Sequence, residues 1–148
     1  MSLKSNASGG IVVGVDGSRA SELALNWAAN EARHRGVGIH VVTCWEFPVI
    51  PWGTYAPLIS GDELELGARE IAEKAVTNVV GTSDLSVSIE VIEGSASLKL
   101  LDFANIAEMI VVGSRGRGGF AGLLLGSVSQ HLAEHAKCPV VIVHSEKS

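Results

Sequence analysis

Short runs of apolar, often β-branched residues alternate along this chain with longer stretches in which apolar residues recur every three or four positions. The first pattern reads as buried strand and the second as amphipathic helix. Strands are expected at residues 11–15, 39–44, 87–91, 109–112 and 140–143. The first helix is expected at 19–35, with Ala20, Leu23, Ala24, Trp27 and Ala28 on one face and Gly36 as its stop signal. The second is expected at 62–80, with Leu64, Ala68, Ile71, Ala72, Ala75 and Val79 on one face and Gly81 after it. A third covers 97–106, and a fourth begins at Gly126-Ser127 and ends before Pro139.

This β-α-β alternation predicts an α/β fold: a parallel five-stranded sheet with right-handed crossovers and helices on both faces. Strands 1, 2 and 4 are almost continuously apolar, as strands covered on both faces are. Strand 3 alternates Val87, Ile89 and Val91 with Ser88 and Glu90, which suggests one wet face and an edge position. The order 3-2-1-4-5 satisfies both observations. Ligands of open α/β sheets bind beyond the carboxyl ends of the strands, where the order reverses. Here that point lies between strand 1, leaving through Gly14, Val15 and Asp16, and strand 4, leaving through Val112 and Gly113.

The segment after strand 4, VVGSRGRGGFAGLLLGSVSQ, carries the chemistry best suited to that point. Glycines let backbone amides press against a ligand, and a concave row of amides holds phosphate oxygens. The following helix adds its unsatisfied N–H groups and the positive end of its dipole. Ser127 can cap that helix or donate to a phosphate. Arg115 and Arg117 concentrate positive charge here in a chain of net charge −5. The bland alternative is an inert glycine-rich surface loop, but such a loop requires neither the helix-start serine nor the arginines.

Composition narrows the function classes. At 148 residues, 47% hydrophobic and 18% charged, the chain suits one compact domain, expected at 10–145, with a flexible leader at 1–9 and a tail at 146–148. No apolar run approaches the ~18 residues of a membrane helix, and the first ten residues lack the apolar core of a signal peptide, so a cytoplasmic location is expected. The acidic balance provides no basic stripe for nucleic acid. Cys44 and Cys138 fall in or beside apolar runs without a CxxC spacing, and are expected as buried thiols without a disulfide.

Taken together, Gly113, Gly116, Gly126 and Ser127 fill the spacing Gly-x2-Gly-x9-Gly-Ser/Thr without a gap. With the strand-1 exit GVDGS, the strand-2 end VVTCWEFP and the final GSVSQHLAEHAKCPVVIV, the chain resembles the ATP-binding branch of the universal stress protein family. The resemblance implies a three-layer, Rossmann-like fold akin to the adenine nucleotide alpha hydrolases. It also implies a nucleotide site. Asp16, following Gly14 and Val15, would sit beside the ribose or a Mg²⁺ bridging the phosphates, and the backbone at Cys44 would read the adenine edge. Val112 and Gly113 would line the adenosine, while Ser114, Arg115, Gly116, Arg117, Gly118 and Gly119 would wrap the ribose and phosphates. Gly126, Ser127 and Val128 would hold the distal phosphates. The stretch Glu93-Gly94-Ser95-Ala96 departs most from the family's pattern. The other reading of Asp16 is a helix cap, a role Ser18 can fill instead.

Other motifs compete less well. His131-Leu132-Ala133-Glu134-His135 matches an inverted zinc-hydrolase pattern but has no evident third ligand. His34, His40 and His144 stand alone, with no recognisable nucleophile partner. The segment Gly116 to Ala121 fits a dinucleotide fingerprint, yet it follows the fourth strand rather than the first. Residues 46–60, rich in proline and aromatic side chains, read equally as a lid over the nucleotide or a flap over the core. The expected function is therefore ATP binding, with Mg²⁺, by a stress-response regulatory protein. A slow ATPase or phosphotransferase and a nucleotide-independent dimeric module are the rivals. The apolar edge strand Val140, Val141, Ile142 and Val143 predicts a homodimer.

Overall fold

The computed structural model of this protein describes residues 8–48, 59–82, 84–115 and 125–145. The strands are β1 (Ile11–Gly14), β2 (Ile39–Trp45), β3 (Val87–Glu93), β4 (Met109–Gly113) and β5 (Val140–Val143). They form one parallel sheet in the order β3-β2-β1-β4-β5, the order the sequence predicts.

The helices are α1 (Arg19–Arg35), α2 (Gly61–Val79), α3 (Ala96–Leu101) and α4 (Ser127–His135). Ser18 starts α1 by accepting a hydrogen bond from the Ser21 amide at 3.2 Å, and Gly36 ends it in a left-handed conformation, φ 70°. Ser60 caps α2 in the same way through Glu63, with Asp62 and Glu63 in the first turn where the helix dipole favours acids. The third helix is shorter than expected. It ends at Leu101, and the chain tightens into a 3₁₀ turn, Asp102–Asn105, that buries Phe103 completely. The fourth ends before Pro139, as expected, because Ala136 is already extended.

Two apolar layers flank the sheet. On one face Ile11, Val13, Val15 and Val41 pack against the alanine-lined sides of α1 and α2. On the other, Val12, Val42, Ile110 and Val112 pack against Leu100, Phe103 and Leu132. Small residues on α1 let that helix lie close to the strands, and this closeness has consequences at Gly113.

One expectation is corrected. Ser88 and Glu90 do alternate with apolar residues on the edge strand, but they do not form a wet face. His40, 1% exposed on β2, places Nδ1 2.5 Å from Ser88 Oγ and Nε2 2.8 Å from Glu90 Oε1. Its ring also lies 5.5 Å from that of Phe103. A buried imidazole needs partners for both nitrogens, and the edge strand supplies them. Among the described residues no helix is long and apolar enough to cross a membrane.

Candidate functional site

The β1–β4 ladder runs only from Ile11↔Met109 to Val13↔Val111. Beyond it the two strands turn to different neighbours. The Val15 amide donates to the Val42 carbonyl at 2.9 Å, so the β1 exit leans on β2. Gly113 stays in register with Val143, and the Ser114 amide donates to the Val143 carbonyl at 2.8 Å, so the β4 exit leans on β5. The two exits therefore part at the carboxyl end of the sheet, the place where open α/β sheets take ligands in a crevice.

Gly14, Val15 and Asp16 form one lip. The Asp16 carboxylate accepts from the Ser18 amide at 2.9 Å, and the Asp16 amide donates to Ser21 Oγ at 3.3 Å. Gly17, between them, has φ 84°, a conformation glycine adopts without strain. Ser18 therefore caps the helix and Asp16 braces the turn before it. The result is a half-buried carboxylate with a fixed orientation at the crevice.

Val112, Gly113, Ser114 and Arg115 form the other lip, and the start of α4 joins it. The Ser114 carbonyl accepts from the Gly126 amide at 2.6 Å and from Ser129 Oγ at 2.8 Å. The chain thus leaves β4 and re-enters at α4 through one hydrogen-bonded neck. Among the described residues no side chain caps α4, unlike α1 and α2. Its first-turn amides, at Ser127 and Val128, sit beside the neck, whereas the Gly126 amide is engaged by Ser114. Gly116, Arg117, Gly118 and Gly119 lie outside the described residues, as does most of the segment 46–60.

Cys44 sits near the end of β2, the strand beside the β1 lip, and packs towards the Leu100 layer. Burial pushes its thiol up to about 11; the Lys99 charge opposes the rise, and Glu46 and Glu90 reinforce it. It is a neutral thiol at physiological pH rather than a nucleophile. Cys138 is raised too, again chiefly by burial, and both cysteines are free and half-buried.

The glycines of the site have distinct jobs. A Cβ on Gly113 would come within 2.7 Å of Ala20 Cβ and 2.8 Å of its carbonyl carbon. The absence of a side chain there lets α1 approach β4, so Gly113 serves packing before it serves any ligand. A Cβ on Gly14 would meet Leu100 Cδ1 at 2.9 Å, on the opposite face.

Sequence reasoning missed the cluster of His40, Ser88 and Glu90, because only the β2–β3 register, His40↔Ser88, brings it together. It also missed Thr43 and Ser129, which are ordinary strand and helix residues until their hydroxyls are followed. Thr43 Oγ1 is buried with no hydrogen-bond partner among the described residues. The rings of His131 and His135 lie 4.6 Å apart, but the described residues contain no group of three or more metal-ligating side chains.

Comparison with known proteins agrees with this architecture. The sequence model of the Universal stress protein family matches residues 9–144. A universal stress protein of Mycobacterium tuberculosis is 37% identical over 146 residues, covering 93% of this chain and 48% of that protein. The chain thus spans about half the length of the curated relatives it matches. A universal stress protein from Archaeoglobus fulgidus, solved in complex with dAMP, superposes with a TM-score of 0.67 at 25% identity, covering 93% of this chain and 98% of that one. Another universal stress protein, solved in complex with cAMP, gives a TM-score of 0.59 at 27% identity over 95% of this chain and 99% of that one. With the family's sequence model matched over nearly its whole length, this chain belongs to the universal stress protein family.

Proposed function

We propose that this protein binds ATP with Mg²⁺ in the crevice where β1 and β4 part, and that nucleotide occupancy regulates its conformation or its choice of partner. The parting of the two strands beyond Val13↔Val111 is the observation that carries the reading. It leaves a braced carboxylate on one lip and an uncapped helix start on the other. Anions are stabilised at such a helix start by unsatisfied amides and the helix dipole. Relatives solved with dAMP and cAMP support an adenine nucleotide as the ligand class.

Each residue takes a role suited to its place. The amides of Ser127 and Val128 face the distal phosphates, and Arg115 adds positive charge to the β4 lip. Val112 and Gly113 form the wall beside the adenosine, and the Cys44 backbone meets the base. A carboxylate oxygen is the donor class Mg²⁺ takes, and one is sufficient because the ion keeps waters and uses phosphate oxygens. Asp16 would hold the ion, which supplies charge neutralisation between phosphates when bound. The reading is tested by calorimetry. ATP with Mg²⁺ is expected to bind wild-type protein, and Asp16→Asn to weaken binding much more with Mg²⁺ present than with the metal chelated. Absence of binding at high micromolar protein would overturn the reading.

We infer in addition that two copies pair through β5. It is a sheet edge of four apolar residues, none of them fully buried within one copy.

A further inference from the structure

His131 and His135 stand one turn apart near the end of α4, so helix geometry sets them on the same face. Their rings lie 4.6 Å apart between centres, with planes inclined by 49°. His40 differs from this pair, because both of its nitrogens are bonded to β3. Among the described residues neither His131 nor His135 has a hydrogen bond, and His131 Nε2 is enclosed without a partner. An enclosed ring nitrogen in that condition carries a desolvation cost that a new partner offsets.

The spacing suits a shared metal ion. Two imidazoles bound to one ion through bonds of about 2 Å stand with their ring centres roughly 4.5–5 Å apart. The observed separation falls in that range without any movement of the backbone. Electrostatics favour a cation at the same place. His135 is the last residue of α4, where unpaired carbonyls and the negative end of the helix dipole lie. Glu134, held by Gln130 Nε2 at 3.1 Å, sets a carboxylate oxygen 3.8 Å from His135 Nε2.

We propose that His131 and His135 together bind one divalent ion of the zinc, nickel or copper class. Imidazole suits these ions, whereas Mg²⁺ takes oxygen donors, so the site differs in chemistry from the Asp16 carboxylate. Among the described residues no group of three metal-ligating side chains forms, and water completes the coordination. His135 is exposed, which gives the ion its way in. The site stands independently of the nucleotide reading.

Calorimetry on untagged, nucleotide-free protein tests this with ZnCl₂. Saturable binding of one ion per chain is expected, and His131→Asn and His135→Asn are each expected to lower the affinity at least about tenfold. Zn²⁺ is also expected to raise the thermal midpoint of wild-type protein but not that of His135→Asn. Because His135 is exposed, that variant is expected to keep the wild-type circular dichroism spectrum and ATP affinity. Absence of saturable zinc binding, or wild-type zinc affinity in His135→Asn, would overturn the metal site and leave the nucleotide crevice in place. Failure to bind ATP would overturn the crevice and leave the metal site in place.

Discussion

The hydroxyl of Ser129, 1% exposed on α4, donates to the carbonyl of Ser114 at the end of β4 across 2.8 Å. With the Gly126 amide on the same carbonyl, this bond fixes where the chain leaves the sheet and where α4 starts. Ser129→Ala removes one of the two clamps. It is expected to cost about 1 kcal/mol of stability and to weaken ATP binding beyond that, because the α4 amides lose their fixed position beside the crevice. Denaturant titration and calorimetry on the same variant check both parts. Unchanged ATP affinity in a measurably destabilised protein would separate the neck from the site.

Gly113 and Gly14 look equivalent in sequence, one at each exit, but their surroundings differ. A methyl on Gly113 meets the backbone of Ala20, which can move only if α1 moves. A methyl on Gly14 meets the ends of the Leu100 and Val112 side chains, which can adjust. Gly113→Ala is therefore expected to cost more stability than Gly14→Ala, with overpacking in the range of about 1–3 kcal/mol. Chemical denaturation of both variants decides it; equal losses would mean that α1 yields readily.

What could be read from the sequence follows from which interactions are local. The caps Ser18 and Gly36, the start of α4 at Ser127 and the strand order all rest on neighbouring residues or on the apolar pattern. The switch point between β1 and β4 was legible for the same reason, since its position depends on strand order alone. What escaped depends on distant pairs. The packing of Ala20 against Gly113 is invisible in the sequence, and Ser88 and Glu90 read as wet until the register sets them on His40. The bond from the Gly126 amide to the Ser114 carbonyl likewise joins residues that the sequence keeps apart. The break of the third helix at Asp102 reflects the burial of Phe103, a tertiary demand that helical spacing does not encode.

Thr43 offers a test with the opposite sign from most core substitutions. Its hydroxyl is buried without a partner among the described residues, so it bears a desolvation cost with no compensating bond there. Valine has the same shape without that group. Thr43→Val is expected to stabilise the protein by about 1 kcal/mol, seen as a higher denaturation midpoint at unchanged slope. A destabilised variant would mean that the hydroxyl has a partner in solution.

The Cys44 thiol, held up at about 11, leaves only about one thiolate in a thousand at pH 8. Alkylation by iodoacetamide is expected to be slow there and to climb with pH through that range. Because Lys99 opposes the rise, Lys99→Met is expected to slow the reaction further. Rapid labelling of Cys44 at pH 8, located by mass spectrometry, would show that burial does not protect it.

The last expectation concerns β5, which among the described residues pairs only with β4. The carbonyls of Pro139 and Val143 accept from Ile110 and Ser114. In a parallel ladder the intervening residues, Val140 and Ile142, turn their amides and carbonyls the other way, towards the open edge. Such an edge usually carries a charge or an internal proline as protection, and Val140–Val143 has neither. An antiparallel copy of the same strand would satisfy these groups through a two-fold contact and cover the half-buried valines. Wild-type protein is expected to sediment as a dimer, and Ile142→Lys as a monomer or to lose solubility. Because Ile142 also packs against the Leu132 layer, the variant's helical content is compared by circular dichroism to separate dissociation from unfolding. Wild-type protein sedimenting as a monomer at high micromolar concentration would remove the dimer and leave the nucleotide crevice, built within one copy, unaffected.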